Sequence, residues 1–426
     1  MSADKAGPAI RHLCVVGLGY VGLPTAAIFA GRGLRVTGVD VNRSIVDKVN
    51  RGEIHIVEPD LGKLVETAVA SGRLKARTTP EPADAFVIAV PTPFKGDHEP
   101  DLTYLMAAVD SLAGVLKKGD LIVVESTVPV GTTDKVSARL AELSPKLAFP
   151  HAAGDAADVQ IAHSPERVLP GRVVAEITKN DRVIGGISRR CGERAAALYR
   201  LAVEGECLTT TARTAELVKL AENAFRDVNI AFANELSLVA DRLGIDVWEV
   251  VELANRHPRV NVLKPGPGVG GHCIAVDPWF IVDSAPEETP LIQAARKVND
   301  GKPRYLARRV IAAAKGLKGV NEPAIACLGL AYKADIDDLR ESPAVAVVRE
   351  IAAAKAGRVL AVEPHVKALP APLAGLKGVE LAGLDAALAA AHVVVLLTDH
   401  KAFLEIDPKR LEKQGKILID SRGAWR

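Results

Sequence analysis

The sequence predicts an α/β chain, two parallel-sheet domains joined by a central helical domain with one long helix. Three observations predict it. HLCVVGLGYVGLPTAAIFAGRGLRVTGVD (12–40) runs from a β-branched stretch through a glycine turn and an alanine-rich stretch to a second strand-like run that ends in Asp40. PAIACLGLAYK (323–333), GRVLAVEP (357–364), HVVVLLTDH (392–400) and GKILIDSRG (415–423) repeat a similar order near the C-terminus. Between them TARTAELVKLAENAFRDVNIAFANELSLVADRLG (211–244) has no proline, many strong helix formers and a closing glycine, so one helix of that whole length is expected. A chain of 426 residues exceeds a single core. The expected domains are 9–205, 206–304 and 305–426.

The first unit reads as βαβ. Gly17, Gly19 and Gly22 form G-x-G-x-x-G directly after the strand, and Asp40 lies 18 residues beyond Gly22. Gly17 allows the tight turn, Gly19 lets a pyrophosphate approach the backbone, and Gly22 lets helix and strand pack closely. The helix N-terminus then faces the phosphates. Asp40 is placed to accept from both ribose hydroxyls, which favours NAD over NADP.

Further strands are expected at AFVIAVPTP (85–93) and DLIVVESTVPVGTT (120–133), whose apolar runs end in Pro, Thr and Ser. Their loops belong at the carboxyl edge of the sheet, where ligands sit, so Thr92 and Thr127 are candidates to touch the cofactor and equally candidates for plain turn formers. In the C-terminal copy Gly329 corresponds to Gly17 and Glu363 to Asp40, without the full glycine fingerprint. That second Rossmann-like domain either takes a different nucleotide or is retained for packing.

Composition excludes several classes of function. With 48% hydrophobic residues, 25% charged residues and a net charge of +2, the chain has no strong basic field for nucleic acid. The N-terminal segment is polar and the apolar runs are too short to span a bilayer, so a cytoplasmic protein with no membrane partner is expected. The five cysteines are scattered without a C-x-x-C pair, against a disulfide framework and against a structural metal site.

Two groups of residues have chemical potential. Lys219 and Asn223 are four apart on the long helix and share a face. They are either a solvated pair or, given Leu217, Val218, Leu220 and Phe225 around them, a partly buried one. Cys273 follows Gly266, Gly268, Gly270 and Gly271, a backbone able to approach a ligand closely. It is either a nucleophile whose thiolate is favoured by a nearby charge or helix N-terminus, or a structural thiol beside a turn. His272 either orients a ligand or packs.

GLGYVGLP (17–24), PTP (91–93), STVPVGTT (126–133), SPERVLPG (164–171), ELVKLAENAFR (216–226), GVGGHCIAVDP (268–278) and LGLAYKADIDDLRESPA (328–344) resemble, in the same order, the motifs of the UDP-glucose/GDP-mannose dehydrogenases. PGPGVGGHCIAVDPWFIV (265–282) resembles the branch of that family that oxidises N-acetylhexosamines. The resemblance implies NAD as cofactor and a UDP-N-acetylhexosamine substrate, UDP-N-acetyl-D-mannosamine first and UDP-N-acetylglucosamine or another UDP-sugar as the alternative. It also implies a homodimer or higher homo-oligomer.

Carried over by position, the resemblance implies that Cys273 is the nucleophile, that Lys219 and Asn223 polarise the C6 oxygen, and that Asp277 works with a catalytic water. Glu166 is implied in thioester hydrolysis and Thr127 in holding that water. Gly17, Gly19, Tyr20, Val21, Gly22, Asp40, Thr92, Thr127 and Arg340 are implied in cofactor binding. Substrate contacts are implied for Glu166, Arg167, Val168, Lys219, Asn223, Arg259, Lys264, Gly270, His272 and Lys333. Arg259 stands closer to Cys273 than its counterpart in glucose-oxidising members, and the SPERVLPGR loop also differs from theirs. Two other readings compete, a simple hydroxyacid dehydrogenase and a non-catalytic module that binds NAD and a sugar nucleotide.

Overall fold

Short β-branched runs buried on both faces become parallel strands, because only helices packed above and below satisfy such a sheet. The computed structural model describes residues 9–96, 98–169, 171–271 and 273–426, so His272 lies outside the described residues. The chain divides into two compact units, one of residues up to Glu222 with Trp279–Ala285, the other of Asn223–Pro278 with Pro286–Arg426.

The first unit holds β1 (His12–Val16), β2 (Arg35–Val39), β3 (Leu74–Arg77), β4 (Ala85–Ile88), the short hairpin β5 (Phe94–Lys95) and β6 (Glu99–Pro100), then β7 (Leu121–Val124), β8 (Gln160–His163), β9 (Arg182–Gly186) and β10 (Cys207–Thr211). Apart from the hairpin they form one sheet in the order β10-β9-β8-β7-β4-β1-β2-β3. Successive β1 side chains enter opposite cores, Leu13 and Val15 one, Cys14 and Val16 the other. All pairings are parallel except β8 with β9. The order reverses between β1 and β4, which opens the crevice where α/β sheets take their ligands.

In the second unit β11 (Ala324–Leu328), β12 (Arg358–Val362), β13 (Val379–Leu381), β14 (Val393–Leu396) and β15 (Ile417–Asp420) form a parallel sheet in the order β13-β12-β11-β14-β15. Ile325 and Cys327 face one core, Ala324, Ala326 and Leu328 the other. The expected long helix runs from Ala212 to Leu243 and contributes residues to both units. A second, Pro290–Lys315, contains Pro303.

The internal repeat is visible bond by bond. Gly17 and Gly329 both have left-handed φ, +94° and +91°. Gly17 N–H donates to Val39 O and Gly329 N–H to Val362 O, each at 2.8 Å. Leu18 N–H donates to Asp40 Oδ2 at 3.1 Å, and Leu330 N–H to Glu363 Oε2 at 2.7 Å. The copies diverge at the acid. Glu363 also receives Ala331 N–H and His400 Nε2 at 2.9 and 3.0 Å. Against the burial that would raise it, these donors hold its carboxyl below its ordinary value. Glu363 is thus part of the packing of its domain, whereas Asp40 stays half-buried at the edge of the crevice.

Candidate active site

At the glycine turn each glycine has its own reason. A Cβ on Gly17 would stand 2.4 Å from Ala89 O, and one on Gly22 would stand 1.8 Å from Gly17 O, so both are fixed by strand and helix packing. A Cβ on Gly19 would meet no protein atom within 4 Å. Its bare backbone is therefore suited to a pyrophosphate, at the start of the helix Gly22–Gly31, with Tyr20 exposed and Val21 at the helix cap. Asp40 accepts from Leu18 N–H and, at 2.9 Å, from Asn42 N–H, which aims its carboxylate. These residues fit NAD.

Across the switch point the loops after β4 and β7 are pinned together. Thr92 Oγ1 donates to Thr127 O at 2.6 Å, and Val90 N–H donates to Ser126 Oγ at 2.9 Å. Thr92 thus ties the two loops together, and Thr127, half-buried, keeps its side chain clear of that bond. Glu166 lies two residues beyond Ser164, in the loop that follows β8. Its Oε2 accepts from Arg182 Nη1 at 2.7 Å and its Oε1 from Arg167 N–H at 2.8 Å. Arg167 reaches Glu222 Oε1 and Asp181 O, at 2.6 and 2.5 Å, and so braces the loop that carries Val168.

In the second unit the stretch from Gly268 to Pro278 coils into turns. Val276 and Asp277 N–H both donate to Cys273 O, at 2.9 and 2.8 Å, which sets Cys273 at the start of the helix Asp277–Ser284. The positive end of a helix favours a thiolate. Asp277 is 2% exposed and accepts from Asn223 Nδ2 at 2.5 Å. Residues 54 apart in sequence are therefore brought side by side. Lys219, half-buried, lies one turn before Asn223 on the long helix.

The glycines before Cys273 are also required by protein packing. A Cβ on Gly270 would stand 2.5 Å from Glu341 O and 2.7 Å from Pro343 Cδ; one on Gly271, at φ +86°, would stand 2.9 Å from the Tyr332 ring. Gly271 N–H also donates to Arg340 O at 3.1 Å. The loop LGLAYKADIDDLRESPA thus forms the bed of the cysteine loop. In it Lys333 is exposed, and the Arg340 guanidinium is held by Asp338 at 2.6 Å. Lys264 and Arg259 are exposed.

The other thiols are poor nucleophiles. Burial pushes Cys14 and Cys327 up to about 12 and raises Cys207, and Cys191 is buried. Asp335, His365 and His400 bring potential metal ligands within 4.8 Å of one another. However, His400 Nδ1 already accepts from Asp335 N–H and its Nε2 faces Glu363, so that ring has no lone pair left for an ion.

Three sequence models of one family match the chain in succession. The NAD binding domain of the UDP-glucose/GDP-mannose dehydrogenase family matches residues 11–203, its central domain 213–301 and its UDP binding domain 326–426. The chain belongs to this family. Among its relatives, an NDP-N-acetyl-D-galactosaminuronic acid dehydrogenase of Ralstonia solanacearum is 58% identical, over 97% of this chain and 96% of the relative. A UDP-N-acetyl-D-mannosamine dehydrogenase of Yersinia pestis is also 58% identical, over 98% and 100%. The solved UDP-D-ManNAc dehydrogenase of Pyrococcus horikoshii superposes with a TM-score of 0.87 at 38% identity, covering 97% of this chain and 96% of the other. Among the described residues no helix is long and apolar enough to cross a membrane.

Sequence reasoning missed Arg182 and Glu125, which surround Glu166. Arg182 opens β9 and Glu125 directly follows the LIVV run of β7. A charge abutting an apolar strand was the available signal, since unpaired charges are seldom fully buried.

Proposed function

We propose that the protein oxidises the C6 alcohol of a UDP-N-acetylhexosamine, UDP-N-acetyl-D-mannosamine first, to the uronate with two NAD. The observation that carries this reading is the bond from Asn223 to the buried Asp277, four residues beyond Cys273. It joins an oxyanion donor, an acid and a nucleophile-bearing turn in one place. The proposal divides the chain into an NAD-binding part (9–205), a helical middle (206–304) and a UDP-sugar part (305–426), and assigns the work to the cytoplasm.

Each residue then has a step. A water held by Asp277 takes the C6 hydroxyl proton, while Lys219 and Asn223 stabilise the developing oxygen charge. NAD, where bound, accepts one hydride in each of the two oxidations. The Cys273 thiolate bonds to the aldehyde carbon to give a thiohemiacetal, which loses the second hydride to become a thioester. Water oriented by Glu166 and Thr127 displaces the sulfur and releases the uronate. One water is consumed and two NADH form per sugar.

Gly17, Gly19, Tyr20, Val21, Gly22, Asp40, Thr92 and Arg340 serve the cofactor in this reading. Arg167, Val168, Arg259, Lys264, Gly270, His272 and Lys333 serve the sugar nucleotide. The test supplies NAD with UDP-N-acetyl-D-mannosamine, UDP-N-acetylglucosamine, UDP-N-acetylgalactosamine and UDP-glucose separately. The expected result is fastest reduction with the mannosamine and two NADH per uronate. One NADH with free aldehyde as the end product overturns the mechanism, and binding without NADH from any sugar favours the non-catalytic module. The galactosamine arm is the second reading, because the Ralstonia relative is as similar as the Yersinia one.

A homodimer is part of the same proposal. Phe225, Phe232 and Val239, 71%, 55% and 48% exposed, recur at every seventh position of the long helix. That spacing gathers them on one face, an apolar stripe of the kind that packs against a second helix. Phe232→Glu is expected to convert a dimer to a monomer in light scattering; an unchanged mass removes this face from the interface.

A further inference from the structure

Arg182 is 4% exposed and joins two carboxylates that are themselves buried, Glu125 at 0% and Glu166 at 9%. Its Nη1 lies 2.7 Å from Glu166 Oε2, its Nη2 2.5 Å from Glu125 Oε1, and its Nε donates to Ser164 Oγ at 2.9 Å. The guanidinium also lies 4.1 Å from the centre of the Tyr199 ring. On the far side Glu125 accepts from Tyr199 OH at 2.7 Å and from Thr25 Oγ1, on the glycine-turn helix, at 3.3 Å. All of these groups lie in the first unit.

The topology explains how the arginine reaches this place. In a wholly parallel sheet the first residue of a strand lies at the amino edge, away from ligands. Here β9 runs antiparallel to β8, with His163 opposite Gly185. The reversal brings Arg182, the first residue of β9, to the carboxyl edge beside the loop that carries Glu166. The strand reversal and the buried ionic fork are thus one device.

We propose that Arg182 is a positioning residue for Glu166, holding its carboxylate aimed at the hydrolytic water, with Glu125 as the second carboxyl group that shares the guanidinium. The proposal rests on the assignment of Glu166 to thioester hydrolysis. An arginine fork serves three acceptors in fixed directions, which a lysine ammonium cannot do. Burial raises the Glu125 carboxyl above its ordinary value, and burial pushes His163, at the end of β8, down to about 3, so that ring is neutral. The charged and titratable groups that bear on Glu166 are therefore Arg182, Glu125 and the Tyr199 hydroxyl, with the Arg167 guanidinium turned to Glu222.

The test compares Arg182→Lys, Glu125→Gln and Glu166→Gln in the full-length protein with UDP-N-acetyl-D-mannosamine and NAD. In Arg182→Lys a burst of two NADH per site is expected, followed by steady turnover slowed about 10- to 100-fold, part of the ~10²–10⁴ that positioned acid–base groups supply. KM should stay within about twofold. Intact-protein mass should show the acyl adduct on Cys273 accumulating. Slowed turnover with an equally slowed burst and no adduct denotes a merely structural role and overturns the proposal. Glu125→Gln keeps the fork and is expected to fold even where Arg182→Lys does not. With only a neutral oxygen to hold Arg182 Nη2 the fork is less firmly fixed, so the acyl adduct should accumulate on Cys273 here too, to a smaller extent than in Arg182→Lys. Hydrolysis at the wild-type rate in Glu125→Gln, with no adduct, overturns the proposal. If Glu166→Gln itself accumulates no adduct, the hydrolytic assignment fails and this proposal with it; if it does while Arg182→Lys and Glu125→Gln behave as wild type, only this proposal fails.

Discussion

Replacing Cys273 by alanine is expected to abolish uronate formation, with a loss of about 10³-fold or more in kcat and NAD affinity unchanged. The loss is large because the fold offers no substitute thiol. Cys14 and Cys327 lie inside strands where burial pushes them up to about 12, and both belong to hydrophobic cores. Only Cys273 combines partial exposure with a place at the start of a helix, where its carbonyl accepts the N–H groups of Val276 and Asp277. The measurement is uronate by chromatography beside NADH by absorbance. Uronate at the wild-type rate from the alanine variant would sink the nucleophile assignment.

The largest effect on stability is expected at Arg296. Its side chain is almost wholly buried, and Nη1 lies 2.7 Å from Asp227 Oδ1 on the long helix, a carboxylate with no exposure. Asn299 Nδ2 donates to the same oxygen at 2.8 Å and its Oδ1 accepts from Asn234 at 2.9 Å. Asn234 Oδ1 in turn accepts from Gly266 N–H at 2.8 Å, at the head of the cysteine loop. Arg296→Ala leaves Asp227 buried and unpaired, which costs about 3–5 kcal/mol. The expected result is a lower urea midpoint with the slope unchanged.

The pH dependence has a definite sign. Burial already raises the Asp227 carboxyl, and the Arg296 charge opposes it. Removing that charge raises the folded-state value further, so the folded variant binds a proton more readily than the unfolded chain. Its deficit should be largest near neutral pH and shrink on acidification through the raised value. Asp227→Asn combined with Arg296→Met should recover part of the loss, because no charge is left stranded. A single variant as stable as wild type would show that the pair adds nothing.

Local pattern carried much of the fold. Gly17, Gly19, Gly22 and Asp40 announce their unit because a phosphate-binding turn is a short-range object, and the long helix, read over 211–244, runs from Ala212 to Leu243. Most sheet strands read as buried runs for the same reason. The short edge strand β3, with its alternating pattern, and β8, β9, β10 and β13 were not legible in this way. Their identity depends on neighbours supplied by distant parts of the chain.

Short-range pattern specifies the two Rossmann-like sheets, the long helix and the types of residue available for chemistry. Which of those residues meet depends on packing. It paired Asn223 with Asp277, made the glycines before Cys273 a seat for Tyr332 and Pro343, and set Glu363, the counterpart of Asp40, beside His400 as a buried partner. It also reversed β9, which gathers Glu125, Glu166 and Arg182 into one fork. Backbone periodicity is set by residues within a turn or two. A buried charge is tolerable only beside its counter-charge, and that partner is chosen by the packing of segments far apart in sequence.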